Sequence, residues 1–235
     1  MKLRLVLALY AEGPTDKAFL GNVIPRTAVH MLAKSGQQAI DVLGIDAKKD
    51  ISIKDGSQRI LNAARQLALE HDNQYDEESA TYPILIVHCD ADAPNNKEAL
   101  KNRYHPGYQL VQQSGELICK SMIPVIPVRM IESWMLAADH EVLQNVLLTD
   151  IKAQELGLMS KVKLVESEPK PKEKLDQIIQ KARGSRSRRR YQVRREDLYE
   201  PLGRRISLER LNEVPSYKQF VDDFTEALKA LRLIG

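Results

Sequence analysis

Four carboxylates stand in two short corners of this chain. The stretch YAEGPTDKAFL, residues 10–20, places Glu12 and Asp16 four positions apart where an apolar run gives way to a polar one. The stretch HCDADAP, residues 88–94, places Asp90 and Asp92 directly after the apolar run PILIVHC. Carboxylates brought within a few ångströms repel unless a cation joins them or one keeps its proton. An all-oxygen set of this kind favours a hard divalent ion, Mg²⁺ or Mn²⁺, over zinc. Two such ions about 4 Å apart activate a water and stabilise the leaving oxygen of a phosphodiester. Each residue also has a plainer reading. Asp16 suits a helix N-terminus through capping and dipole effects, and Asp90 and Asp92 suit a turn before Pro94. Glu12 is harder to explain that way, because a glutamate closing a buried strand needs a partner.

The elements that must position these groups follow from hydrophobic patterning. Residues 2–10 are almost continuously apolar, as in a strand covered on both faces of a parallel sheet. A helix is expected from near Thr15, with Phe19, Leu20, Val23 and Ile24 on its inner face and Pro25 as a kink. Residues 40–54 fit one or two short strands. Asp55, Gly56 and Ser57 open a second helix, and PILIVHCD is a second buried strand. Helices are expected near 96–104 and 107–118. MIPVIPVRM is a third strand, which its two prolines assign to an edge or an irregular ladder. IESWMLAADHEVLQNVLL reads as helix broken near Asp139.

This alternation predicts an α/β domain with a mostly parallel sheet over residues 1–148. If the first two buried strands are neighbours, about 4.8 Å apart, Glu12 and Asp90 converge at the carboxyl edge of the sheet, where open α/β sheets bind ligands. Residues 149–235 read as a basic helical extension packed on that domain. Its last helix carries Tyr217, Phe220, Phe224, Leu228 and Leu231 on one face.

Composition adds limits. With 43% hydrophobic and 29% charged residues among 235, the chain has the makeup of an ordinary globular protein. No stretch approaches the ~20 apolar residues of a membrane helix. The N-terminal apolar run is short and lacks a small-residue cleavage site, so it reads as a strand and not a signal peptide. Cys89 and Cys119 show no metal-type spacing, and a reduced cytoplasmic setting is expected. Residues 1–150 carry 15 Lys and Arg against 19 Asp and Glu, and residues 151–235 carry 20 against 13. An acidic front and a basic back suit metal on one part and a polyanion on the other.

EGPTD closing one apolar strand, DAD closing another some seventy residues later, and the following IPVIPVRMIESWMLAAD together resemble the TOPRIM domain of topoisomerases, bacterial primases and OLD-family nucleases. With PKPKEKL and VPSYKQF downstream, the chain is similar over nearly its whole length to a bacterial TOPRIM-like family of unknown function. The resemblance implies a TOPRIM-like sheet flanked by helices. It makes Glu12, Asp90 and Asp92 a catalytic acidic triad around Mg²⁺ (or Mn²⁺), and Asp16 a fourth acidic residue approaching the metal. Glu132 is a candidate ligand for a second ion, with a helix-dipole role as its plainer alternative. The expected activity is metal-dependent hydrolysis of nucleic acid, with DNA ahead of RNA. Since OLD-family nucleases join this domain to an ATPase and this chain has no Walker pattern, a separate ATPase partner is expected. A role in phage defence is a further implication of the resemblance.

Several basic residues are candidates for contact with phosphates. Lys170 and Lys172 alternate with Pro169 and Pro171, and Arg186, Arg188, Arg189, Arg190, Arg194 and Arg195 belong to the biased stretch GSRSRRRYQVRR. Such clusters neutralise phosphates without reading bases; the alternative is a solvated basic loop or a docking surface for an acidic protein. His88 reads first as a packed core histidine, with Asp90 close by, and Trp134 as core. Two other functions compete: a non-catalytic TOPRIM module serving a partner, and a haloacid-dehalogenase-type phosphatase. The second is disfavoured because its D-x-D normally ends the first strand.

Overall fold

The computed structural model describes residues 2–74, 79–159, 161–183 and 193–235. In chain order, β1 (Lys2–Tyr10), α1 (Pro14–Lys34), β2 (Ile40–Asp46), α2 (Gly56–Gln74) and β3 (Ser79–His88) come first. A crossover of α3 (Lys97–Ala99), a π-helical turn (Leu100–Tyr104) and α4 (His105–Gln113) leads to β4 (Met122–Val125). The remaining helices are α5 (Glu132–Met135), α6 (His140–Leu147), α7 (Ala153–Leu156), α8 (Pro171–Arg183), α9 (Tyr199–Arg205), α10 (Leu208–Leu211) and α11 (Pro215–Ala230). Short 3₁₀ turns at Val162–Ser167 and Arg195–Leu198 lie among them.

The protein is α/β, with one four-stranded, all-parallel sheet flanked by helices. The strand order is β2-β1-β3-β4. β1 is therefore central: the chain leaves it toward β2 on one side, then returns to build β3 and β4 on the other. The order reverses between β1 and β3, and a crevice at the carboxyl ends of those two strands is the consequence.

Strand residues alternate between two cores, as the two-residue period of a strand requires. Leu5, Leu7 and Leu9 of β1 join Ile84 and Ile86 of β3 on the face covered by α1, α5, α9 and α11. Val6, Ala8 and Tyr10 join Leu85 and Val87 on the face covered by α2 and α4. Leu156, Leu175, Leu202 and Phe224, all beyond residue 148, belong to the same hydrophobic cluster as Leu5 and Phe19. The C-terminal helices thus complete the core on one side of the sheet.

Several elements differ from the sequence expectations, for local reasons. The segment 40–54 supplies one strand, which ends at Asp46. β3 begins at Ser79, four residues before the expected start at Pro83, because Lys2–Leu5 of β1 continue to offer partners to Ser79–Tyr82. Proline is tolerated there because the amides of Leu85 and Cys89 face β4, donating to Ser121 and Val125. Pro83 shares that side but lies before β4 begins, so no β4 ladder bond is lost. The two helices expected near 96–104 and 107–118 form a nearly continuous run from Lys97 to Gln113 through the π turn. Pro106 falls in the first turn of α4, where its missing N–H is not needed, and extended Ser114 stops that helix early.

Other expectations are met. β4 is a four-residue edge strand carrying Pro124. The break at Asp139 is a true helix start, with the Asp139 carboxylate accepting the Val142 N–H at 2.9 Å. A kink is expected at Pro25; α1 is instead one continuous helix through it, and Pro25 packs against Gly44 of β2, where a Cβ would stand 2.9 Å from the proline ring.

Candidate metal and phosphodiester site

The carboxyl edge of β1 and β3 holds both acidic corners. Tyr10 and Val87 are the last residues of β1 and β3 paired with each other, and β3 runs one residue further, to His88 beside Val125 of β4. At the first corner, Gly13 caps α1 and Pro14 occupies its first turn. The Asp16 carboxylate accepts the Gly13 N–H at 2.8 Å, so Asp16 does start the helix, as its plainer reading held. The same carboxylate oxygen stands 4.0 Å from His88 Nδ1. Lys49 pins the corner from outside, its Nζ donating to the main-chain oxygens of Ala11 (3.0 Å) and Glu12 (2.8 Å).

At the second corner, the Asp90 carboxylate accepts the Ile131 N–H at 2.9 Å, which fixes it against the start of α5. Asp92 adopts a left-handed conformation, φ 51°, and its N–H donates to the Arg129 carbonyl at 2.8 Å. Aspartate tolerates that region better than most side chains.

His88, the last residue of β3, is buried between the two corners. Its Nδ1 lies 3.5 Å from the Glu12 N–H, and its Nε2 stands 3.4 Å from Asp90 Oδ1 without a hydrogen-bond partner. The packed histidine expected from sequence therefore also has both ring nitrogens turned toward the acidic groups.

Glu132 begins α5 and is buried. Tyr199 donates its hydroxyl to Glu132 Oε1, and Lys172 Nζ stands 3.7 Å from the same oxygen. Glu132 Oε2 is buried with no hydrogen-bond partner. The structure therefore brings Glu132 and Lys172 together.

Protonation reflects this crowding. Burial raises the Glu12 and Asp16 carboxyls above the usual carboxylate range, with His88 opposing the rise and the Asp90 charge adding to it. Burial also raises Glu132, against the pull of the Tyr199 hydroxyl. The Tyr199 hydroxyl is itself pushed upward, first by burial and then by its bond to Glu132. Burial pushes the Cys89 thiol up to about 12, leaving it protonated and inert.

Other expected site residues lie elsewhere in the ion-pair network. Lys170 is exposed and paired with Glu173 at 2.8 Å. Arg194 faces Asp197 at 3.8 Å, and Arg195 donates to Asp176 of α8 at 2.6 Å. Arg195 thus helps to fasten the turn before α9 to α8. Arg186, Arg188, Arg189 and Arg190 lie outside the described residues.

The sequence reading missed two site residues. Arg103, in the π turn, donates to Asp92 Oδ2 at 2.8 Å and to the Asp90 carbonyl at 2.7 Å. Tyr199 reaches the site only because α9 packs against α1 and α5, which no local pattern announces. The π turn is equally silent in sequence.

Among the described residues, no group of three or more histidine, cysteine, aspartate or glutamate side chains is placed to hold a metal ion. The acidic residues of the two corners are oxygen donors whose uncompensated charge burial disfavours, and Glu132 keeps one buried oxygen unpartnered. No helix among the described residues is long and apolar enough to cross a membrane. Comparison with known proteins found no matching family model, curated protein or solved structure.

Proposed function

We propose that this protein is a TOPRIM-type, metal-dependent nuclease that hydrolyses phosphodiesters of nucleic acid, DNA ahead of RNA. The observation that carries this reading is the placement of Glu12, Asp16 and Asp90 around His88 at the ends of β1 and β3, where the strand order reverses. Glu12, Asp16 and Asp90 would hold Mg²⁺ or Mn²⁺, with Asp92 and Glu132 at the flanks. A bound divalent ion supplies a nucleophilic water at neutral pH and charge relief at the leaving oxygen.

The chain's own groups contribute the rest. Ile131 N–H orients the Asp90 carboxylate, and His88 Nε2 stands beside it at 3.4 Å. Glu12, with its raised affinity for a proton, is suited to take one from the attacking water. Lys172, half-exposed beside Glu132, is placed to meet a phosphate at the rim of the site. Cys89 and Cys119 are free, in keeping with a reducing cytoplasmic setting.

A second reading has its own observation. Arg103 already binds Asp92 and the Asp90 carbonyl, so the corner is satisfied in part without a metal. That favours a non-catalytic TOPRIM module, binding nucleic acid or serving a separate ATPase partner. Incubation of supercoiled plasmid with the purified protein in Mg²⁺ and in Mn²⁺, beside Asp90→Asn, separates the two. Nicking by the wild type alone supports the nuclease; equal cleavage by both proteins removes the proposed site; no cleavage by either favours the module.

A further inference from the structure

The two edges of the sheet are built differently. β4, at one edge, has four residues. The Ser121 and Val125 carbonyls accept the Leu85 and Cys89 amides of β3, so Met122 and Pro124 face outward. A short strand with a proline on its outer side is a guarded edge. β2, at the other edge, has seven residues, IDVLGID, with neither proline nor lysine, paired with β1 in unbroken register. The Ala47 N–H donates to the Leu9 carbonyl, so the odd-numbered residues of β2 bond to β1. Ile40, Val42, Gly44 and Asp46 therefore turn their main-chain N–H and C=O groups outward, and among the described residues no strand lies on that side. Leu43 is 40% exposed, and Val29, one turn along α1 from the Pro25 that packs on Gly44, is 54% exposed. We propose that β2 is a dimer interface, on which β2 of a second copy of this chain pairs antiparallel about a two-fold axis at Leu43. The inference does not depend on the chemistry at the carboxyl edge.

Self-complementarity selects both the occupant and the register. Antiparallel pairing sets outward-facing residues opposite one another, and the axis at Leu43, the middle of Ile40–Asp46, pairs the whole strand. Val42 of each copy then exchanges main-chain hydrogen bonds with Gly44 of the other, and Ile40 with Asp46. On the α1 side, the Val42 side chain covers the position that Gly44 leaves bare, beside a cavity of about 170 Å³ lined in part by Gly21, Pro25 and Gly44. On the opposite side, Leu43 meets Leu43 at the axis. Charge agrees with this register: Asp41 faces Ile45 and Asp46 faces Ile40, so no carboxylates are directly opposed, which would destabilise the pair. An axis at Val42 or Gly44 shortens the overlap and sets valine on valine or glycine on glycine. A two-fold contact uses the β2 edge of both copies, and β4 is guarded, so association closes at two chains. The two four-stranded sheets become one of eight strands.

The test is sedimentation equilibrium of the full chain, with circular dichroism to show that each variant is folded. Wild type is expected at twice the 26.7 kDa of one chain. Leu43→Lys and Leu43→Glu, each alone, are expected to raise the dimer dissociation constant about a hundredfold, because like charges then meet at the axis in place of two leucines. An equimolar mixture of these two variants should return to the dimer mass, since lysine then faces glutamate. Oxidised Leu43→Cys should form a covalent dimer, because Cα atoms about 4.5 Å apart in such a pair suit a disulfide. Ile51→Cys, exposed but outside β2, should not. A wild type that stays monomeric at high micromolar concentration overturns the proposal. So does a dimer that Leu43→Lys and Leu43→Glu leave intact, which places the interface elsewhere. Failure of the folded variants to recover on mixing, or equal cross-linking by both cysteine variants, overturns the pairing of Leu43 with Leu43.

Discussion

Tyr199 donates a hydrogen bond from its hydroxyl to Glu132, a residue 67 positions earlier in the chain, and both are buried. This bond joins the start of α5 to the start of α9 beneath the acidic corners. Tyr199→Phe leaves Glu132 with neither oxygen properly partnered, since Oε2 already has no hydrogen bond. A loss of about 1–3 kcal/mol in unfolding free energy is expected from an unsatisfied buried acceptor, read by urea denaturation. An unchanged midpoint would mean that Lys172 alone satisfies the carboxylate.

The raised carboxyls give a signed pH dependence. Glu12, Asp16 and Glu132 hold protons in the folded chain that the unfolded chain has released. Stability from these groups is therefore greatest below the ordinary carboxylate values and is lost as pH rises through their raised values. Glu132→Gln removes one of the three, so its thermal midpoint should fall less than that of wild type over that rise. Added Mg²⁺ should recover part of the loss in wild type at neutral pH. Parallel midpoint curves for the two proteins would remove Glu132 as a titrating group.

A buried polar chain lies behind the site. Trp134 Nε1 donates to Ser216 Oγ at 2.7 Å, and Ser216 in turn donates to Glu166. Ser216→Ala strands the indole N–H and weakens the hold on Glu166 together. A cost of about 2–4 kcal/mol is expected, because a half-satisfied buried network is worse than either partner alone. A change in Trp134 fluorescence should accompany it. A loss well under 1 kcal/mol, with unchanged emission, would show that water replaces the hydroxyl.

Two glycines on neighbouring helices should respond in opposite directions. A Cβ at Gly203 of α9 would stand 2.6 Å from the Phe19 carbonyl oxygen of α1. Gly203→Ala must push the two helices apart and should cost about 1–3 kcal/mol. A Cβ at Gly21 of α1 meets nothing within 4 Å, so Gly21→Ala should stabilise by about 0.5–1 kcal/mol. Calorimetry of the two single variants compares them directly, and a stable Gly203→Ala would contradict the close approach of α1 to α9.

Legibility in the sequence tracked how local the cause was. The continuous apolar runs of β1 and of residues 83–88 marked buried parallel strands, and Asp139 marked a helix start through its own capping chemistry. The convergence of the two acidic corners was legible because adjacent strand ends force it. The apolar run marks the start of β3 at Pro83, four residues late: the polar start Ser79–Tyr82 carries no apolar run, yet it pairs with Lys2–Leu5 of β1. The environments of Glu132 and Arg103 were not legible. The first depends on α9 arriving from 67 residues away, and the second on a π turn whose i→i+5 pattern leaves no periodic trace.

The strand order also has a consequence for how the chain acquires its structure. β1 is central, yet its partner β3 lies some seventy residues further along, and the edge strand β4 comes later still. A folding intermediate that has paired β1 only with β2 presents an open, apolar strand edge to its surroundings. Non-local parallel pairing of this kind is slow and exposed to aggregation. Crowded refolding should therefore fail first through β1, and the carboxyl edge that gathers Glu12 and Asp90 is complete only once β3 has docked.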